Sequence, residues 1–182
     1  MSSAPAATPF HILPTLRADG PHPDHADKLM LFGQFVGVWE LDIKYFDETG
    51  KIIFHEPGEW AFSWILDGCV IQDVITAPNA QDTSKRGPGE RGIGTTLRKY
   101  DPKLDEWQII WLGAIRGILD VFTGRRVGDE IWVEGEDEDG LNRWMFTDIT
   151  ERSFHWKGCL SLDGGQSWKR MQAMVAVRRS VT

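Results

Sequence analysis

Cysteine, positive charge and long apolar runs are all in short supply in this chain of 182 residues. The two cysteines, Cys69 and Cys159, form no Cys-x-x-Cys pair, which excludes zinc ribbons and thioredoxin-like redox chemistry. The 20 Lys and Arg residues are outnumbered by 27 Asp and Glu residues. The resulting net charge of -7 disfavours nucleic acids and anionic membrane surfaces as partners. No apolar run reaches about 18 residues, so no membrane span is expected.

The common motifs of cofactor and nucleophile chemistry are missing as well. The sequence has no Gly-x-Ser-x-Gly elbow, and neither cysteine has a histidine close to it. Gly92-Ile93-Gly94 lies inside a strand pattern that no helix follows, so it does not match a dinucleotide-binding loop. The five histidines lack the spacing typical of a zinc site, and none is placed for haem. We therefore expect neither a cofactor nor a metal.

Proline marks the boundary between an N-terminal arm and a single domain. Five of the nine prolines lie in residues 1–24, which predicts an extended arm, and residues 25–182 form the predicted domain. The arm lacks the basic start and apolar run of a signal peptide, so a cytoplasmic location is expected. A short helix should follow, capped by Asp24 and ended by Gly37. Its apolar face would contain Leu29, Met30, Phe32, and Phe35 or Val36.

From residue 37 onward the apolar pattern alternates with period two, which predicts strands. No connection is long enough for a crossover helix, so consecutive strands should pair antiparallel in a meander. Closure into an all-β barrel would hide the sheet edges. The longest break, residues 78–90, could be a lid or an ordinary mobile loop. The ten predicted strands are 37–47, 51–65, 69–77, 91–100, 107–115, 117–126, 129–136, 141–149, 152–161 and 167–178.

Two features at the ends of the predicted barrel resemble the lipocalins and related calycins. Gly37-Val38-Trp39 follows the short helix and opens the first strand, and Arg178 and Arg179 close the last strand. In lipocalins the opening tryptophan packs at the closed end of the barrel, and a basic residue of the last strand lies across it. The resemblance implies that Arg178 or Arg179 has this covering role, since a guanidinium stacks favourably on an indole.

Further segments resemble a bacterial lipocalin-like family whose function is mostly undescribed. They lie mainly in turns, and turns indicate a fold far better than a function, so the family supplies no catalytic motif. The segment from Ser161 to Trp168 also resembles an Asp-box, a turn motif of propeller folds. A propeller would repeat the motif in each blade, whereas it occurs once here. We interpret it as a hairpin in which Asp163 binds turn amides. The segments are Leu66-Asp67-Gly68, Lys99-Tyr100-Asp101-Pro102, Arg143-Trp144 and Ser161 to Trp168.

Nine tryptophans lie on the predicted strands, and alternation decides which of them face the interior. If Trp39 points inward, the second, fifth and ninth strands also carry aromatic inner faces. These side chains would form either the lining of a ligand cavity or simply a packed core. The aromatic residues that we expect to contact a ligand are Trp60, Phe62, Trp64, Trp111 and Trp156.

Polar residues on the same predicted faces are the candidates for chemistry. A charge inside a barrel must pair or face a wet cavity, and Arg98 with Asp120 is one plausible pair. Tyr45, Arg98, Tyr100 and Asp120 are the candidate acid, base and anion-holding groups. The alternative is that these side chains point outward. The polar residues expected to contact a ligand are Gln72, Arg116 and Arg143.

Three functions fit these observations. The first is a cofactor-independent enzyme acting on an aromatic or polycyclic hydrophobic molecule, of lyase, isomerase, decarboxylase or cyclase type. The second is a carrier that binds such a ligand without changing it. The third is an interaction module, in which the arm and the outer sheet face form a homodimer. A barrel without a signal peptide has less reason to be a transport lipocalin, which favours the enzyme.

Overall fold

The computed structural model describes residues 16–77, 92–114 and 117–180. The chain there forms one short α-helix and ten antiparallel strands, which confirms the predicted all-β class. Arg116, the break at residues 78–90 and the first fifteen residues of the arm lie outside the described ranges. The strands are β1 (Gly37–Phe46), β2 (Ile52–Ile65), β3 (Val70–Ala77), β4 (Gly92–Asp101), β5 (Glu106–Gly113), β6 (Ile118–Val127), β7 (Glu130–Asp137), β8 (Gly140–Thr147), β9 (Ser153–Ser161) and β10 (Lys169–Arg178).

The sheet closes into a barrel because its first and last strands pair. Each strand hydrogen-bonds to its neighbours in the chain, and β1 bonds to both β2 and β10. Trp39 lies opposite Trp60 on one side and opposite Arg178 on the other. The predicted ten-stranded meander barrel is therefore confirmed, and each of the ten described strands has a neighbouring strand on both sides.

Helix α1 spans Ala26–Gly33 and follows a 3-10 turn at Pro23–His25. The predicted cap by Asp24 is wrong: the chain first makes the 3-10 turn, in which the Asp24 amide donates to Nδ1 of His22. The helix also ends at Gly33, before the predicted Gly37. Its last turn closes through the Gln34 amide, which lets the chain bend so that Phe35 enters the core.

Aromatic side chains fill the end of the barrel that α1 covers, called the helix end below. Phe32 and Phe35 have no more than 1% of their surface exposed. The Phe35 ring lies 5.0 Å from Phe146 and 4.8 Å from Phe154, and Trp39 lies 4.7 Å from Phe154. Burial of each such side chain stabilises the fold by about 1.5–3 kcal/mol. The helix thus acts as a plug that makes this half of the barrel a packed core.

Part of the predicted arm runs beside the β2–β3 turn. The Ala18 amide donates to the Trp64 carbonyl at 2.9 Å, and the His22 amide donates to the Gly68 carbonyl at 3.1 Å. Gly68 has φ of +80°, and a Cβ there would collide with the Gly20 carbonyl. Only glycine meets both demands without strain. The turn Leu66-Asp67-Gly68, singled out in the sequence, therefore also seats the chain that precedes the helix.

Arg178 is the basic residue that covers the opening tryptophan. Its guanidinium carbon lies 4.1 Å from the centre of a Trp39 ring. Its Nη1 and Nη2 atoms donate to the carbonyls of Val36 and Gln34, each at 2.7 Å. Arg179 instead points outward to surface carboxylates. One arginine thereby satisfies carbonyls left free after the helix and ties the last strand to the first.

The single Asp-box-like segment is a tightly bonded turn between β9 and β10. Asp163 accepts from the Ser167 amide at 2.9 Å and from the Ser161 hydroxyl at 2.7 Å. These hydrogen bonds hold the pKa of Asp163 far below its ordinary range. The Trp168 indole donates to the Gly165 carbonyl at 3.2 Å. The hairpin interpretation made from the sequence is confirmed.

Candidate functional site

The barrel half away from α1, called the cavity end below, contains a cavity of about 500 Å³. Its walls are inward-facing side chains of strands from both sides of the β1–β10 seam. Most of the lining is apolar, as is usual for a small-molecule site. The aromatic lining residues are Tyr45, Phe54, Trp60, Trp111, Trp144 and Trp156, and the larger aliphatic ones include Ile43, Ile75 and Met174.

Three tryptophans on β5, β8 and β9 form one wall of this cavity. Trp144 lies between the other two, with ring centres 6.1 Å from Trp111 and 5.9 Å from Trp156. Phe122 packs against Trp144, with the centres of the two rings 4.3 Å apart. Trp60, Trp111 and Trp156 were predicted as ligand contacts, and the structure brings all three to the cavity. Trp144 was named only as part of a turn segment and was not predicted as a ligand contact, although alternation with the inward Phe146 places it on the same face.

The inner boundary of the cavity is a buried ion pair between Arg98 on β4 and Asp73 on β3. Both residues have 1% of their surface exposed, and Nη1 of Arg98 contacts Oδ2 of Asp73. The other carboxylate oxygen accepts from the Trp60 indole at 2.7 Å and from the Thr96 hydroxyl at 3.2 Å. A buried pair needs such additional hydrogen bonds to offset its desolvation.

The Arg98 guanidinium also lies over two aromatic rings of the packed core. Its central carbon is 5.2 Å from the Phe32 ring and 5.3 Å from the Phe62 ring. Burial lowers the pKa of Arg98 to about 9, which leaves the guanidinium charged at neutral pH. Arg98 therefore forms the border between the filled half of the barrel and the hollow half.

Apart from Nη1 of Arg98, which contacts Asp73, two buried N–H groups of residues that line the cavity lack a hydrogen-bond acceptor within the described part of the chain. They are Nε of Arg98 and Nε1 of Trp156. Trp156 has 6% of its surface exposed, and both residues line the cavity. Buried donors are nearly always paired in folded proteins, so two unpaired donors in one cavity point to an acceptor that another molecule supplies.

A tyrosine and a carboxylate meet on the side of the cavity formed by β1 and β2. The Tyr45 hydroxyl donates to Oε1 of Glu56 at 3.1 Å. Glu56 has 5% of its surface exposed, and Tyr45 lines the cavity. Tyr45 was predicted from the sequence and Glu56 was not. Glu56 could have been found by counting back from Trp60 in steps of two, since alternation puts both residues on the inner face.

The β3 strand presents Asp73 to the interior and Gln72 to the outside, opposite to our prediction for Gln72. The Gln72 side chain donates to Thr95 Oγ1 at 3.2 Å on the outer surface. Both faces of β3 carry apolar residues, because Val70 and Val74 lie on the face of Gln72 and Ile71 and Ile75 lie on the face of Asp73. The alternation of this strand therefore does not show which face points inward. The signal was present in the turn: a hairpin centred on Asp67-Gly68 pairs Phe62 with Asp73 and so turns Asp73 inward.

Arg98 pairs with Asp73, and the expected pair between Arg98 and Asp120 is wrong. Asp73 is on β3, which adjoins β4 directly, whereas Asp120 is on β6, two strands from β4. Asp120 lies outside the cavity lining and is partly buried. Desolvation raises its pKa, and the nearby charges of Asp137 and Glu138 raise it further. Its candidate role in chemistry stays a prediction.

The structure places Phe62 and Trp64 in the packed helix end, away from the cavity lining. Phe62 contacts Phe35 at 5.8 Å, and the Trp64 ring lies where a Cβ at Gly33 would be. Tyr100 also lies at the helix end, where its hydroxyl donates to Asp105 at 2.6 Å. These three residues face inward or are buried as predicted, but at the opposite end of the barrel from the cavity. Alternation along a strand gives the face of a residue and not its depth.

Arg143 lies on the outer surface and is absent from the cavity lining. Its guanidinium lies between two indoles, at 4.2 Å from Trp132 and 4.0 Å from Trp168. Its Nε atom donates to Glu134 at 2.7 Å. The inward residue of this strand is its neighbour Trp144, so the predicted ligand contact falls one position from the residue that lines the cavity. Arg116 lies outside the described residues.

The described residues contain no group of three or more His, Cys, Asp or Glu side chains that could hold a metal ion. Within the same ranges, no helix is long and apolar enough to cross a membrane. The ionisable groups that the described chain places in or beside the cavity include Arg98, Asp73, Tyr45 and Glu56, which can donate and accept hydrogen bonds.

No protein-family model matches the sequence, and no curated protein matches it. The solved structures that are similar to the chain include the following two. One is Rv2717c from M. tuberculosis, with a TM-score of 0.58 and 14% identity over 88% of this chain and 99% of that one. The chain shares its fold. The other is the S-type phycobiliprotein lyase CpeS from Guillardia theta, with a TM-score of 0.57 and 10% identity over 84% of this chain and 93% of that one. Both likenesses agree with the lipocalin-like barrel expected from the sequence, and at these identities they concern the fold alone.

Proposed function

We propose that this protein binds a small, largely apolar aromatic molecule in the cavity. The observation that carries the proposal is the cavity of about 500 Å³, lined by tryptophans and holding two buried N–H groups without an acceptor. Its volume lies in the range of small-molecule sites, and its mostly apolar lining carries few polar groups, as is usual for such sites. One fold neighbour is a phycobiliprotein lyase by name, which is in keeping with a ligand-binding role for a barrel of this fold.

The contrast between the two halves of the barrel supports this proposal. At the helix end, the side chains of Phe32, Phe35, Phe146 and Phe154 are buried and pack against one another. Protein interiors are packed about as densely as organic crystals, and an unfilled space costs stability. A chain that fills one half with phenylalanine and leaves the other half hollow has retained a space that a ligand can occupy.

The test compares two alanines on neighbouring parts of the barrel wall. Ala77 lines the cavity, whereas Ala61 is exposed on the outer surface. We expect the Ala77→Phe side chain to fill part of the cavity and to weaken binding of an aromatic probe at least about tenfold. The probe would then bury less of its apolar surface against the cavity walls, and this burial is the main source of its affinity. Ala61→Phe should leave the affinity unchanged. Tryptophan fluorescence quenching measures both, with circular dichroism as a check on folding.

Equal affinities of wild type, Ala77→Phe and Ala61→Phe would place the probe outside the barrel and contradict the proposal. No quenching by any of a panel of polycyclic probes would contradict it too, and would favour an interaction module.

A second candidate function, a proton-transfer lyase or isomerase, is favoured by the hydrogen bond between Tyr45 and Glu56. A phenol and a carboxylate at 3.1 Å, beside an apolar cavity, are groups that can donate and accept a proton. Exclusion of water from such a cavity would strengthen their electrostatic effect on a bound molecule. The cyclase and decarboxylase types named above need the same groups.

The two tyrosines of the chain provide a matched test of this second candidate. Tyr45 lines the cavity, whereas Tyr100 bonds to Asp105 at the helix end. If Tyr45 transfers a proton, Tyr45→Phe should lower turnover about 100-fold, the scale of general acid–base catalysis, with binding retained. Tyr100→Phe should keep full turnover. Product analysis by mass spectrometry on each bound compound detects turnover, and recovery of every compound unchanged by wild type would favour the carrier.

The proposals about nucleic acids, location and dimerisation rest on the sequence. A net charge of -7 disfavours nucleic acids, and the cytoplasmic location and the homodimer are proposals that rest on the sequence alone. Sedimentation equilibrium would test the homodimer, and a single species of 20.6 kDa at micromolar concentration would contradict it.

A further inference from the structure

We propose that the ligand is a planar aromatic ketone or quinone whose neutral carbonyl oxygen accepts hydrogen bonds from Arg98 Nε and Trp156 Nε1. This inference rests on the proposed binding function and specifies the chemical class of the ligand. Three properties of the cavity carry it: its two unpaired donors, the charge balance beside them and the shape of its walls.

The first property is the need for an acceptor. Arg98 and Trp156 are at least nine-tenths buried and line the same cavity, yet the described chain offers no acceptor to either N–H. The Trp60 indole, by contrast, already donates to Asp73. A purely apolar ligand would leave both N–H groups desolvated and unpaired, which is unfavourable. A carbonyl oxygen has two lone pairs, so one ligand oxygen within reach of both N–H groups would satisfy both.

The second property, charge balance, favours a neutral oxygen over a carboxylate. The Arg98 charge is already offset by Asp73, which it contacts directly. An anionic group at Arg98 would stand next to the Asp73 carboxylate, with no further buried cation among the described lining residues to balance it. Two like charges so close in a site of low dielectric repel strongly. At the cavity end, Asp137 and Glu138 also oppose an approaching anion, as their effect on Asp120 indicates.

The third property, wall shape, favours a flat ring system. Trp111, Trp144 and Trp156 form a continuous aromatic wall on one side. Indole faces and edges pack best against another aromatic surface. The space of about 500 Å³ accepts a ligand of three or more fused rings. The ligand class that meets all three demands is a polycyclic aromatic ketone or quinone.

Three probes with one carbon skeleton separate these demands. Fluorene is flat and apolar, fluorenone adds a neutral carbonyl oxygen, and fluorene carboxylate adds an anionic group. Equilibrium dialysis against the full-length protein measures the affinity of each. We expect fluorenone to bind about tenfold more tightly than fluorene, the effect of satisfying buried donors, and fluorene carboxylate to bind more weakly than fluorenone.

Two tryptophan variants show whether the preference comes from the unpaired donors. Trp156→Phe removes an N–H that has no acceptor, whereas Trp60→Phe removes one that Asp73 already accepts. Both variants lose ring area in the cavity, so the absolute affinity can fall in both. The ratio of the fluorenone and fluorene affinities should fall several-fold in Trp156→Phe and hold in Trp60→Phe. The double variant Arg98→Met with Asp73→Asn, which buries no net charge, should lower the ratio as well.

The outcomes separate this inference from the binding function on which it rests. Equal binding of fluorenone and fluorene would overturn the inference and leave the binding function intact. Tightest binding of fluorene carboxylate would overturn the choice of a neutral oxygen. A ratio that falls equally in Trp60→Phe and Trp156→Phe would overturn the role of the unpaired donors. Failure of all three probes to bind would overturn the binding function and the inference together.

Discussion

The ion pair of Arg98 and Asp73 shows how much a single side chain can decide in this barrel. Each charge is almost completely buried, and each is tolerable only because the other is present. Asp73 also accepts hydrogen bonds from Trp60 and Thr96, so it holds three other side chains at the boundary of the cavity. Removing one member of a buried pair costs far more than the pair contributes as a whole, because the remaining charge has no partner.

Asp73→Asn should therefore destabilise the protein by about 3–5 kcal/mol, the usual cost of leaving a buried charge unpaired. The matched control is Asp42→Asn, which removes a carboxylate from an exposed pair with His55 and Lys44 and should cost about 0–1 kcal/mol. Urea unfolding at pH 7 gives both free energies. Similar values for the two variants would show that the Arg98 charge reaches water and that the buried-pair description is wrong.

Glycines on the strands make room for the tryptophans that line the cavity. Gly158 on β9 is buried, and a Cβ there would lie 2.6 Å from the Trp156 ring. Gly94 on β4 stands in the same relation to the Trp111 ring. A glycine inside a strand weakens it, so its presence next to a large ring indicates close packing. A glycine thus stands next to each of these two large indole rings and leaves room for it, which positions the indoles that line the cavity.

Gly158→Ala should push the Trp156 ring from its place, with a loss of stability of about 1–3 kcal/mol, typical of overpacking. The Trp156 N–H would then be displaced from the cavity, and binding of a carbonyl-bearing probe should weaken. Gly20→Ala is the control, since no atom lies within 4 Å of a Cβ at Gly20. Thermal unfolding and dialysis with fluorenone measure both effects. An unchanged affinity in Gly158→Ala would mean that the Trp156 ring does not contact the ligand.

The barrel as a body has two unlike ends joined by one closed sheet. Helix α1 and its aromatic side chains fill one end, and the cavity occupies the other. The seam between β1 and β10 connects residues distant in the chain, and Arg178 strengthens it at the helix end by bonding to the carbonyls of Gln34 and Val36. Closure at this end helps to keep the strands in register, because each strand is hydrogen-bonded to two neighbours around the barrel.

Arg178→Lys should therefore lower the free energy of unfolding by about 1–3 kcal/mol, because lysine cannot form the forked pair of hydrogen bonds while stacking on Trp39. Arg179→Lys, at an exposed pair with Glu40 and Glu59, should have a smaller effect. Chemical unfolding followed by Trp fluorescence compares the two variants. An effect of Arg179→Lys equal to or larger than that of Arg178→Lys would contradict the stabilising role assigned to the Arg178 contacts with Trp39, Gln34 and Val36.

Local patterns in the sequence were enough to predict the elements of this fold and their order. Alternating apolar residues and turn signals such as Asp67-Gly68 depend on neighbours in the chain, and they placed all ten strands. The lipocalin-like Gly37-Val38-Trp39 and the basic end of the last strand predicted the contact now seen between Trp39 and Arg178. Meander pairing followed because short connections leave consecutive strands no other partner.

Only the tertiary structure decided which inward residues share the cavity and which share the core. Tyr45 and Tyr100 both lie near the C-terminal ends of their strands, but β1 and β4 run in opposite directions in the closed sheet, which puts Tyr45 at the cavity end and Tyr100 at the helix end. The partner of Arg98 was likewise set by strand adjacency, which brought Asp73 to it and kept Asp120 away. The position of a side chain along the barrel axis and its partners on other strands both depend on how separate segments of the chain pair. The alternation of residues along a single strand carries no information about either.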